Sequence, residues 1–163
     1  MAIGFYNLVE GQLKRTHRLE IDVDGYETAV PQAEGIESPD LLLLNDDDLA
    51  YAKIRLDDNS WANAVKHLSA FEDSLPRTLV WGAAWDATRD AETSPREFIK
   101  LVLGNIAAET ESTTILTLLR QLITTGNLYV NAGDRQSALT QIGDGLLTLA
   151  RGAAGLRKTR RKS

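Results

Sequence analysis

The stretch from Leu75 to Phe98, LPRTLVWGAAWDATRDAETSPREF, constrains the fold of this chain more than any other. Leu79, Val80, Trp81, Ala83, Ala84, Trp85 and Ala87 leave it apolar on nearly every side. At about 100° per residue, Trp81, Ala84, Trp85 and Thr88 share one face of a helix, while Leu79, Gly82 and Ala83 lie on another. A helix apolar on two faces belongs between neighbours rather than on a surface. Before this stretch the sequence alternates as strands do, and after it the apolar residues recur at helical spacing. The chain therefore reads as α+β, an antiparallel β segment followed by an α-helical segment of antiparallel helices.

In the β segment, Ile3 to Leu8 is short, apolar and aromatic, and Glu10-Gly11 supplies a turn signal. From Leu13 to Val23, Leu19, Ile21 and Val23 fall on one side and Arg18, Glu20 and Asp22 on the other, the alternation of a strand with one wet face. Asp24-Gly25 is the strongest hairpin signal, with Tyr26 to Val30 returning from it and Pro31 ending the pairing. Asp40 to Leu44 carries four leucines in a row, a strand buried on both faces. Asn45 to Asp48 makes the next turn, and Leu49 to Leu56 resumes the strand pattern. About five strands are expected, too few for a complete sandwich and with edges left unpaired.

At Asp57 to Ser60 the period becomes helical, with Trp61, Val65, Leu68 and Phe71 or Glu72 as the first stripe. Ser74 is read as the cap of the second helix, which runs to about Ala91 with Pro76 in its first turn. Ser94-Pro95-Arg96-Glu97 is a capping box opening a third helix, with Phe98, Ile99, Val102 and Leu103 inward and Gly104-Asn105 at its end. Thr110 to Thr124 is a fourth, with Ile115, Leu118, Leu119 and Leu122 inward and Gly126-Asn127 as its stop. The last runs from Asp134 to about Leu156 through Leu139, Ile142, Leu146, Leu149 and Ala153, weakened by four glycines that each cost up to about 1 kcal/mol against alanine. The expected domains are 1–56, a partial β-sandwich; 57–156, a partial helical, solenoid-like domain; and 157–163, a basic disordered tail.

Charge and composition remove whole classes of function. The net charge is -5, but Arg157, Lys158, Arg160, Arg161 and Lys162 crowd the end, and without them the 18 basic residues fall to 13 against 23 acidic ones. A body so acidic does not suit nucleic acid. There is no cysteine, which excludes disulfides, thiolate catalysis and cysteine-ligated zinc. No apolar run approaches the roughly 20 residues of a membrane span, and MAIGFYNLVEGQLKR lacks the basic start of a secretory signal. A cytoplasmic chain without a membrane partner is expected.

Few residues are arranged for chemistry. His17 falls in the alternating strand and His67 on a wet helical face, far apart and outside any HExxH pattern, so no metal site is expected. Asp46-Asp47-Asp48 lacks the glycine and later glutamate of a calcium loop and reads as a solvated turn. Asp22 to Gly25 opens like such a loop but continues wrongly, with Glu27 and Ala33 at the positions that need glycine and the bidentate acid. Trp81 and Trp85, four apart, read as core rather than as a stacking platform. Asp86 and Arg89 can pair at i, i+3. Arg89 and Asp90 are the candidate cavity-facing polar residues; no catalytic, metal or cofactor residue is assigned, and the terminal cations read as a solvated tail.

LLLLNDDDLAYAKIRLDDNSW, LPRTLVWGAAWDATRDAETSPREFIKLVL and ETESTTILTLLRQL together resemble the C-terminal part of bacterial aminopeptidase N. That family comprises gluzincin zinc aminopeptidases, and the likeness is closest to actinobacterial members. The resemblance is strong from Asp40 to Leu122, moderate from Ile3 to Val30 and weaker beyond Gly126. It implies the end of a β-sandwich domain joined directly to the start of a helical domain similar to that of the endoplasmic-reticulum aminopeptidases. It implies a parent enzyme that removes N-terminal residues from peptides with a zinc-activated water. The HExxH and GxMEN motifs that would carry that chemistry do not occur in these residues, so no catalytic role transfers to any position. The resemblance thus implies a non-catalytic C-terminal fragment that supplies structure and a substrate-access wall. Its partner would be the catalytic portion, in cis or in trans, and peptides would be met only through that parent. A free-standing protein-interaction module, or the complementing half of a split enzyme, is the alternative.

Overall fold

The structure is a computed structural model that describes residues 1–160, with side chains through Gly155. Among the described residues, three strands precede five α-helices, which bears out the α+β class. The strands are β1 (Ala2–Val9), β2 (Gln12–Glu20) and β3 (Leu41–Leu44); the helices are α1 (Asp58–His67), α2 (Ser74–Arg89), α3 (Pro95–Asn105), α4 (Ser112–Thr124) and α5 (Arg135–Arg160). The chain forms two compact units, Met1–Glu92 and the remainder from Thr93 on. No helix among the described residues is long and apolar enough to cross a membrane. The tail read over 157–163 lies outside the described side chains.

In the first unit β1 is the centre of an antiparallel sheet ordered β2-β1-β3. The hairpin closes at Glu10-Gly11, not at Asp24-Gly25: Glu10 and Gly11 have φ of 52° and 80°, the left-handed pair of a two-residue turn that matches strand twist. Strand β2 stops at Glu20, and the expected return strand from Tyr26 to Val30 is irregular chain. Val23 and Tyr26 are exposed there, so no buried face exists to hold a strand register. The expected strand from Leu49 to Leu56 is also absent. The free side of β3, where it would have paired, is taken by α1: Leu42 N–H donates to Ser60 Oγ at 2.8 Å, and Asn63 Nδ2 donates to the Asp40 carbonyl at 2.8 Å.

That contact also turns α1. Asp57 caps the helix by accepting from Ser60 N–H at 2.9 Å. Ser60, Ala64, Leu68 and Phe71 are buried, while Trp61 and Val65 are only partly so. Over its first turns the buried stripe therefore sits one residue earlier than the apolar pattern suggests, at Ser60 and Ala64, where the Ser60 hydroxyl meets β3, while Leu68 and Phe71 are buried as expected. On α2, Val80, Trp81, Ala83, Ala84, Ala87 and Thr88 are buried and Trp85 is half-buried, whereas Gly82 faces solvent. The Thr88 hydroxyl donates to the Ala84 carbonyl at 2.8 Å, which satisfies it inside the helix.

The second unit follows its capping signals closely. Ser94 Oγ accepts from Glu97 N–H at 3.3 Å with Pro95 in the first turn. Phe98, Ile99, Leu101 and Val102 are fully buried. Helix α4 runs into a π-turn over Thr125–Tyr129 rather than stopping at Gly126. In α5, Gly145 is a close-approach site, not a weakness alone: a Cβ there would lie 2.8 Å from Leu103 Cδ1 of α3. Among the described side chains of this helix, Ala138 and Ile142 are the buried ones.

Two glycines make opposite predictions. At Gly82 a Cβ would stand in open space, with nothing within 4 Å of it, so Gly82→Ala is expected to stabilise by up to about 1 kcal/mol. In Gly4→Ala the new Cβ would fall 2.1 Å from Asp46 Oδ2, so a loss of about 2 kcal/mol or more is expected from overpacking beside a buried carboxylate. Urea denaturation of both variants decides the signs.

Candidate functional site

A β-bulge builds the main polar cluster of the first unit. Along β1 and β2 the register steps from Phe5↔His17 to Tyr6↔Arg15, which leaves Thr16 as the extra residue. Simple alternation would send Arg15 and Arg18 to opposite faces of β2. The bulge instead sets Arg15 opposite Tyr6 and Arg18 opposite Gly4, and since Tyr6 and Gly4 share a face, so do the two arginines. Both then reach the acidic turn after β3.

That turn is strained into shape. Asn45, Asp47 and Asp48 have φ of 53°, 63° and 55°, values that asparagine and aspartate tolerate better than other non-glycine residues. Buried Asn45 clips the loop, its Nδ2 donating to the Ala50 carbonyl at 2.6 Å and its Oδ1 accepting from Ala50 N–H at 3.0 Å. Asp46 is 1% exposed, so the turn read from sequence as solvated is so at Asp48 but not at Asp46. Its carboxylate accepts from Tyr6 OH at 3.0 Å and from Arg15 at 3.1 Å. Asp47 accepts from Arg15 at 2.9 Å and from Arg18 at 2.7 Å, and Arg18 also pairs with Glu20 at 2.7 Å.

The electrostatics follow from this geometry. Burial first, and then the Asp46 charge, push the Tyr6 hydroxyl well above its ordinary value. Hydrogen bonds to Asp46 hold the Arg15 guanidinium more firmly protonated, and Asp47 does the same for Arg18. The Arg18 hydrogen bond, followed by that from Arg15, holds the Asp47 carboxyl below its usual 3.8. A cleft of about 580 Å³ adjoins the cluster, lined by Tyr6, Lys14, Arg15, Asp47, Phe71 and the start of α2 among others. Its charges are of both signs, and Arg15 and Asp47 already satisfy one another.

A second cluster contains the sequence-derived candidates Arg89 and Asp90. Arg89 is exposed and donates to Asp86 Oδ1 at 2.9 Å. Asp90 accepts from Arg55 at 2.6 Å and Lys53 at 3.2 Å, and Arg55 Nε also bonds Glu92. The hydrogen bond from Lys53 is the leading cause of a lowered Asp90 carboxyl pKa. Sequence reading paired Asp86 with Arg89 but missed Lys53 and Arg55, whose alternation looked like a strand. The histidines lie apart: His17 packs edge-on to Phe5 at 6.0 Å on β2, and His67 ends α1. Among the described residues no three His, Asp or Glu side chains are grouped as a metal's ligands would be.

A small antiparallel sheet whose last strand is clamped to the first of a run of helices defines the class, a sheet-to-helix junction of an α+β protein. Residues 41–161 match the family of the ERAP1-like C-terminal domain, and the chain belongs to that family. An aminopeptidase N from Streptomyces lividans is 46% identical over 154 residues, which is 94% of this chain and 18% of that protein. The family match takes in β3, the acidic turn, and the helix beyond Gly126, where the resemblance read from sequence was weaker.

Removing one charge should expose how the cluster works. Arg15→Gln leaves the buried Asp46 without its cation; because Arg15 is itself 37% exposed, the cost expected is about 1–2 kcal/mol, below that of a fully buried pair. A carboxyl with a depressed folded pKa stabilises above its unfolded value and loses that contribution as pH falls through the folded one. Stability curves of the parent chain and Asp47→Asn are therefore expected to differ at neutral pH and to converge below pH 3.8, read by urea unfolding from pH 7 to 2.

Proposed function

We propose that this chain is a non-catalytic C-terminal part of an aminopeptidase N, a zinc metallo-aminopeptidase that removes N-terminal residues from peptides. One observation carries the reading: 46% identity to an aminopeptidase N over 94% of the chain. The family match over 41–161 supports it from a second direction. The role is structural: the sheet end and the helices from α1 on supply part of the wall that limits peptide access, with Arg89 and Asp90 toward the cavity. In this reading the parent's β-sandwich ends at residue 56 and its helical domain starts at 57. The catalytic portion is the partner, peptides are met only through it, and the setting is cytoplasmic.

Zinc-activated hydrolysis needs metal ligands, a general base and an open coordination position held together. HExxH and GxMEN are absent from the 163 residues, and His17 and His67 stand on separate elements. The chemistry is accordingly assigned to residues outside this sequence.

A second reading, docking onto a separately encoded catalytic half, is favoured by the sheet. Beyond one bridge between Leu13 and Phe71, β2 has no strand on its outer side among the described residues, and an open edge accepts a further strand.

The purified chain, supplied with zinc, is expected to release nothing from alanyl or leucyl chromogenic substrates; metal-dependent turnover by the chain itself would sink the non-catalytic reading. Grafted in place of the matching 154 residues of the Streptomyces lividans protein, it is expected to give a folded hybrid. Co-purification with a separate catalytic half would select the second reading.

A further inference from the structure

The end of α2 is built from parts that do not favour it. Glu92 N–H donates to the Ala87 carbonyl at 2.8 Å, and Ala91 N–H to the Thr88 carbonyl at 3.2 Å. These are the two bonds of a Schellman turn, which requires a left-handed residue just beyond the cap. Here that residue is Ala91, with φ of 59°, a conformation open to glycine and resisted by any residue with a Cβ. The apolar contact that commonly supports such a turn from the next residue is missing as well, because the next residue is Glu92. Asp86, Asp90 and Glu92 also gather at the negative end of the helix dipole.

Cations gather at this end, two from the segment before α1 and one, Arg89, from α2 itself. Arg55 bonds Asp90 Oδ2 at 2.6 Å through one nitrogen and Glu92 through another, so it straddles Ala91. Lys53 adds a contact to Asp90 at 3.2 Å, and Arg89 engages Asp86 at 2.9 Å.

We propose that Arg55, assisted by Lys53, is an ionic latch that holds the strained Ala91 turn closed where the chain leaves α2. With the latch closed, residues 90–92 keep the Schellman bonds. With it open, Ala91 relaxes out of the left-handed region and the turn unwinds, while the body of α2 stays folded. Glu92 is the last residue of the first compact unit, so the latch acts on that unit's own C-terminal end. The paired side chains are 30–58% exposed, and salt therefore weakens the latch.

Amide hydrogen exchange on the whole chain tests this. In Arg55→Gln, exchange at Ala91 and Glu92 is expected to quicken about tenfold or more, while Val80 and Ala84 in the same helix are unchanged. About 1 M sodium chloride should act on the unaltered chain in the same direction. Adding Ala91→Gly to Arg55→Gln should restore slow exchange, because glycine holds the turn without the latch. Unchanged exchange at 91 and 92 overturns the proposal. So does quickening shared equally by Val80 and Ala84, or a failure of Ala91→Gly to rescue. If Arg55→Gln does not fold, Glu92→Gln opens the latch from its other side and is read in the same way.

Discussion

The first unit depends on a carboxylate where solvent is excluded. Asp46 is nearly inaccessible, and an uncompensated charge there would cost several kcal/mol. Compensation comes from a tyrosine on the central strand, an arginine on the neighbouring strand, and a glycine that leaves room. Gly4 has no side chain to contest the site, Tyr6 donates from two residues further along the strand, and Arg15 brings the charge. Each is positioned by the register of β1 with β2, so the bulge at Thr16 and the burial of Asp46 imply one another.

From that point the rest of the unit follows. The acidic turn, wound left-handed and clipped by Asn45 to Ala50, sends the chain away from the sheet instead of back along it. The released edge of β3 is then met by polar side chains of α1, which is why Ser60 rather than Trp61 faces inward. The segment beyond the turn, freed from ladder bonds, gives its cations to the end of α2. A stretch whose alternation suggests a strand has become a tether.

The charged groups of this unit engage one another across its elements. Two networks do so: Arg15 and Arg18 with Asp46, Asp47 and Glu20, then Lys53 and Arg55 with Asp90 and Glu92, where Arg89 also reaches Asp90. Such sets fix backbone geometry.

The sequence by itself determined the α+β order, the caps at Asp57 and Ser94 and the family, but not the cap of α2, which is Asp73 rather than Ser74. Capping and turn signals are local, so Asp57, the Ser94-Pro95-Glu97 box and Glu10-Gly11 each act within four residues of themselves. The apolar character of α2 was legible for the same reason, since helical periodicity needs no partner to be read. Only tertiary structure decided the number of strands and the fate of the charges. Alternation specifies that a segment could pair, not that an edge is free to receive it, and β3's edge was already taken. Nor does composition tell a solvated aspartate from a buried one. Asp46 is buried where Asp48 is exposed because Tyr6, Gly4 and an arginine turned inward by a bulge thirty residues earlier make room and partners for it, a relation with no local signature.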